Sequence, residues 1–153
     1  MFSLIISIIS IALVAALAAA TVYFGGAAFN KGGAGADAST FINGAQQIAG
    51  AFTLAETDGY TVSTIAALAD GTATDGEIYL SQVPSYKGTA LTLDATETNY
   101  VTLQTGISVN ICEEINDRAV GKDGTNPTAI GGLFGCVQGA TATDPNTAFY
   151  KVK

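Results

Sequence analysis

Hydrophobic and polar positions divide this chain into two unlike parts. Residues Phe2–Phe24, FSLIISIISIALVAALAAATVYF, hold no charged side chain, and the first charge anywhere is Lys31. As a helix this run would be about 35 Å long, enough to cross the hydrocarbon core of a bilayer. Its composition changes along its length, with Ile and Leu first and Ala12, Ala15, Ala16, Ala18, Ala19 and Ala20 later. Ser3 and Ser7 stand at i, i+4, and Ala12, Ala16 and Ala20 at i, i+4, i+8. Small residues at that spacing let helix backbones approach closely. A plain Ala-rich membrane span is the bland reading; the spacing predicts a helix that leaves lipid and bundles with copies of itself. No Lys or Arg precedes the apolar run, which argues against a cleaved secretory signal, so the segment is expected to be retained.

A glycine-rich patch follows, with Gly25, Gly26, Gly32, Gly33 and Gly35 around Lys31. Each glycine weakens a helix by about 1 kcal/mol relative to Ala, so a weakened or interrupted helix, a flexible joint, is expected here. The stretch GGAGAD lacks the third glycine of a dinucleotide fingerprint and the Gly-Lys-Ser/Thr of a P-loop, which excludes the common phosphate cradles. Helical periodicity then returns. Phe41, Ala45, Ile48, Phe52 and Ala55 mark one face, widened by Ile42 and Ala49. Asp37, Ser39 or Thr40 would cap a new helix, or the first helix would simply continue. Thr57-Asp58-Gly59 ends it. A short helix opened by Ser63 or Thr64 carries Ile65, Leu68 and Ala69, and the turn-rich DGTATDGE follows at 70–77. Thr89–Leu93 and Tyr100–Gln104 alternate like a hairpin, and Ser108–Ala119 has helical spacing with Gly121 beyond its end. Leu133–Gln138 and Thr147–Lys151 read as two final strands joined across Asp144-Pro145-Asn146. This order predicts an α+β fold: a long hydrophobic N-terminal helix continuing into an amphipathic helix packed on a small antiparallel sheet of about four strands. The expected division is 1–30, a filament-core or transmembrane helix, and 31–153, a globular head.

Charge narrows the function. Six basic and thirteen acidic residues give a net charge of −7, which repels a phosphate backbone, so direct nucleic-acid binding is not expected. With no His, Ser-His-Asp and Cys-His catalysis and His-ligated metals are excluded. Glu113 and Glu114 are adjacent on a predicted helix and point in different directions, as a solvated face does. Asp70, Asp75 and Glu77, and more weakly the stretch 116–126, offer oxygen ligands but do not follow the calcium-loop spacing. No enzyme activity and no cofactor are expected. Two cysteines are too few for an ordinary zinc site; Cys112 and Cys136 are expected to form a disulfide, the alternative being two buried thiols. The bridge would close a loop of about 25 residues and place the head in an oxidising compartment.

Taken in order, these segments resemble the type IV pilin family, in the style of its type IVb and pseudopilin-like branch. The resemblance rests on the uncharged start MFSLIISIISIALVAAL, the amphipathic continuation ASTFINGAQQIAGAFTL, STIAALADG followed by YLSQVP, and the cysteine segments NICEEIN and LFGCVQG. Where the family carries a Glu at the fifth mature position, Ile5 stands here. The resemblance implies a subunit that waits in the inner membrane and is stacked by pilus assembly machinery into a helical homo-oligomeric filament with heads outside. Residues 1–24 would form the filament core, and 112–136 the disulfide-bracketed surface region. A membrane-anchored surface or periplasmic binding module is the alternative from another class, and a phage or virus coat protein a third.

Overall fold

The computed structural model describes residues 2–121, 124–141 and 144–153, apart from the side chains of Phe24 and Ala27. It has the expected α+β architecture, and it divides into two compact units, Met1–Ala34 and Gly35–Lys153. Helical backbone runs over Phe2–Thr57 (α1). Of the two expected outcomes, a weakened or an interrupted helix, interruption does not occur: helical backbone continues through Gly25, Gly26, Gly32 and Gly33. Glycine lowers helix stability without blocking helical dihedrals, and the good helix formers on either side carry the ladder across. No new cap forms at residues 37–40 either. Ser39 and Thr40 donate their hydroxyls back to the carbonyls of Gly35 and Ala36, at 2.8 and 2.9 Å, as mid-helix Ser and Thr do.

In the second unit, Ala38, Phe41, Ala45, Ile48, Phe52 and Ala55 form the buried stripe of α1. The helix stops where Gly59 takes φ +91° and Tyr60 N–H returns to the Ala55 carbonyl. A second helix, Ile65–Asp70 (α2), is capped by Thr64, which accepts from Ala67 N–H, and is closed by left-handed Gly71. A third, Val109–Val120 (α3), is capped by Ser108 and buries Ile111, Cys112, Ile115 and Asn116.

The stretch expected as one strand over Thr89–Leu93 is divided in two. Ser85–Tyr86 (β1) and Thr89–Ala90 (β2) make a small hairpin, turning at Lys87 and Gly88, both at positive φ as a tight two-residue hairpin turn requires. Thr92–Leu93 (β3) then leaves for the main sheet. The division has a simple cause: Leu91 is buried and bonds its N–H to the Pro84 carbonyl, so the chain cannot serve both ladders there. The main sheet is antiparallel, ordered β3, Tyr100–Leu103 (β4), Thr147–Lys151 (β6), Phe134–Val137 (β5). Its register places Val101, Leu103, Tyr150, Ala148 and Cys136 on one face. That face receives α3, tied by the Cys112–Cys136 disulfide with Cα atoms 5.2 Å apart. The opposite face carries Phe149, fully buried, with Tyr100 edge-on to its ring at 5.9 Å. The segment between α3 and β5 covers this face: Tyr100 donates to the Gly132 carbonyl, and a Cβ at Gly135 would meet Phe149 at 2.9 Å and Pro127 at 3.0 Å.

Candidate assembly surface

The first unit is a helix that leaves its apolar side chains exposed. From Phe2 to Tyr23 every described side chain is exposed, and among them Phe2, Leu4, Ile5, Ile6, Ile8, Ile9, Ile11 and Leu13 keep between 52% and 85% of their surface. A soluble monomer rarely exposes so large a continuous apolar surface. Three hydroxyls in this stretch are internally satisfied. Ser7, Ser10 and Thr21 donate to the carbonyls of Ser3, Ile6 and Ala18, each at 2.8–2.9 Å. Such hydroxyls carry no unmet donor into an apolar environment, whether lipid or other helices. By length and composition α1 can cross a membrane.

Helical geometry separates the predicted packing residues into two sets, with Ala15, Ala18, Ala19, Gly26 and Gly33 at angles between them. Ser3 and Ala12 are nine positions apart, which is about 180° around the axis at 100° per residue. Ser3, Ser7, Ser10, Thr21, Gly25, Ala28 and Gly32 fall within an arc of about 60°, while Ala12, Ala16 and Ala20 lie on the opposite side. The predicted packing residues thus form two narrow faces rather than one stripe. At Gly25, Gly26, Gly32 and Gly33 an added Cβ would meet nothing within 4 Å. Nothing in the chain itself requires glycine there.

The head holds its own stretch of α1 with cations. Arg118 on α3 donates to the Ser39 hydroxyl at 2.6 Å and the Gly35 carbonyl at 3.0 Å, and pairs with Glu114 at 3.2 Å. Lys87, at the hairpin turn, meets Asp37 at 2.7 Å and lies 5.0 Å from the centroid of the Tyr86 ring. The Asp37 carboxylate first and the Tyr86 hydroxyl second hold the Lys87 ammonium charged well above its ordinary range. Burial pushes the Tyr86 phenol up. At the chain end Lys153 donates to the Val62 carbonyl at 2.7 Å and sits over the Phe52 ring.

Comparison with family models, with curated proteins and with solved structures gives no match. The geometry therefore has to carry the functional reading.

Sequence reasoning missed Asn116. This side chain is 1% exposed, donates to the Cys136 carbonyl at 2.8 Å and accepts from the Cys136 N–H at 2.7 Å. Cys136 sits on β5, an edge strand, and Asn116 takes the place of a neighbouring strand on its outer side. The signal was present in the sequence, because Asn116 is four residues from Cys112 and beside Ile115 on the apolar face. Lys87, Asp37 and Arg118 had no comparable signal. Among the acidic residues considered for calcium, Asp70 takes the N–H and hydroxyl of Thr72, which lower its pKa. Among the described residues no group of three Cys, Asp or Glu is arranged to hold a metal; Lys122 and Asp123 of the stretch 116–126 lie outside them. The head also carries an apolar groove of about 400 Å³ lined by Ser63, Thr64, Ile65, Val83, Leu91 and Leu93 among others.

Proposed function

We propose that this chain is the structural subunit of an extracellular filament of the type IV pilus kind, polymerising through α1 and performing no catalysis. The observation that carries the reading is the exposed apolar helix, uncharged from Phe2 to Asn30 and joined to a folded, disulfide-closed head. Small residues on more than one side of the helix suit a polymer, in which each helix has neighbours on more than one side; a dimer needs one face. Glycines that the chain itself does not require fit close approach by neighbouring helices. Moving such a helix from lipid into a bundle gains little hydrophobic energy, so close packing at Ser3, Ser7, Ala12, Ala16 and Ala20 supplies the preference. The subunit waits in the inner membrane, the pilus machinery stacks it, and the heads face an oxidising exterior where the disulfide persists.

Negative-stain microscopy of material sheared from cells tests this. Filaments containing the chain are expected; the chain in the membrane fraction alone, without filaments, would count against the reading. Replacing Ala12 and Ala16 with Leu should abolish filaments while the head keeps its disulfide.

The apolar groove beside α2 favours a second reading, a membrane-anchored binding module. It is separated by size in detergent: a monomer or small oligomer that retains a soluble ligand supports it.

A further inference from the structure

We propose that Lys31 is a contact between subunits, its ammonium meeting Glu113 and Asp117 on α3 of a neighbouring copy. The inference rests on the filament reading and deepens it. Lys31 is the only charged residue among the first 36; it is exposed and makes no ion pair among the described residues. Packing α1 among copies brings this ammonium to the edge of an apolar bundle, where an unpaired charge is costly. All thirteen acidic residues lie at Asp37 or beyond, so the complementary charge has to come from a head.

Six of these thirteen carboxylates are engaged within their own head, while Glu56, Asp75, Glu77 and Glu97 stand singly or in loops. Asp37 is held by Lys87 and Glu114 by Arg118, Asp58 accepts from the Tyr79 hydroxyl, and Asp70, Asp94 and Asp144 brace their own turns. Glu113 and Asp117 differ. They stand at i, i+4 on α3 with no cation between them, a like-charge spacing that weakens a helix. Val109 and Val120 lie on the same side of α3, 52% and 48% exposed, and offer apolar surface to the stem of an incoming lysine. A cation from a second copy relieves the repulsion and satisfies Lys31 together.

Charge exchange in the full-length chain tests the pairing. Filament yield in sheared material is compared for wild type, K31E, the E113K/D117K double variant and the combination of all three. Membrane-fraction level and disulfide oxidation report insertion and folding of each variant. Both partial variants are expected to lose filaments by more than about tenfold, and the combination to recover them. Wild-type yield from K31E, or a combination that stays inactive while oxidised and inserted, overturns the pairing but leaves the filament reading standing. A Lys31 that instead serves lipid headgroups would show as K31A depleted from membranes with no rescue by the head variants, which also overturns it. Absence of filaments from wild type removes both.

Discussion

Asn116 illustrates how one side chain can stand in for a strand. Its amide pairs with both backbone groups of Cys136, which face away from β6 because their neighbours in register bond inward. Replacing it with Ala would leave a buried N–H and a buried carbonyl unpaired, and each such group costs about 1–3 kcal/mol. Thermal melting of the full chain in detergent, followed by near-ultraviolet circular dichroism, should show N116A among the most destabilising single changes in the head. Tyr79 gives a residue-scale test in pH. Desolvation first, and its hydrogen bond to Asp58 second, push its phenol from 10.0 to about 12. The folded state therefore favours the protonated ring. The stabilisation is complete below pH 10 and fades as pH rises toward 12. Absorbance titration should find late ionisation from Tyr79 and from Tyr86; the Tyr79 component, at about 12, is absent in Tyr79→Phe and shifted part of the way back toward 10 in Asp58→Asn, while that of Tyr86 remains in both.

At the scale of elements, α1 has two kinds of support. Over 38–55 its apolar stripe is buried in the head, and Arg118 and Lys87 brace residues 35–39. Over Gly25–Gly33 it has propensity alone, and the glycines lower that. Hydrogen exchange should accordingly find faster amides at 25–33 than at 41–55. Gly32→Ala and Gly33→Ala should each stabilise the local helix by about 1 kcal/mol, slowing exchange there by roughly fivefold. Equal protection across both stretches would remove the idea of a joint. Element types and order were largely legible in the sequence, because periodicity is local, and Thr64 caps the short helix that Ser63 or Thr64 was expected to open. The division of 89–93 between two ladders was not legible, since it depends on the burial of Leu91, whose side chain lies against Gly44 of α1.

For the molecule as a whole, the disulfide links a helix on one sheet face to the edge strand, around a segment that crosses the other face. Chain-entropy arguments for a loop of this size assign the bridge about 3–4 kcal/mol. Cys112→Ser with Cys136→Ser should lower the denaturant midpoint of the head correspondingly, without changing membrane insertion of α1. If the melting of the double variant matched wild type, the bridge would be a marker of compartment rather than a structural staple. The apolar N-terminal helix was the most legible part of the molecule. An uncharged, Ile-rich and then Ala-rich run needs no tertiary information to be recognised as an apolar helix long enough to cross a membrane.

By itself the sequence determined what depends on neighbours a few residues apart: the apolar helix, the amphipathic stripe, and the α+β order. Tertiary structure alone decided which distant groups meet. Asn116 at the β5 edge, Lys87 at Asp37, Arg118 at Gly35 and Ser39, and Pro127 over Gly135 come together through chain reversals. Local interactions are encoded within one or two turns of chain and survive reading in one dimension. Long-range contacts depend on strand register and loop path, which are set by the packing of the whole head.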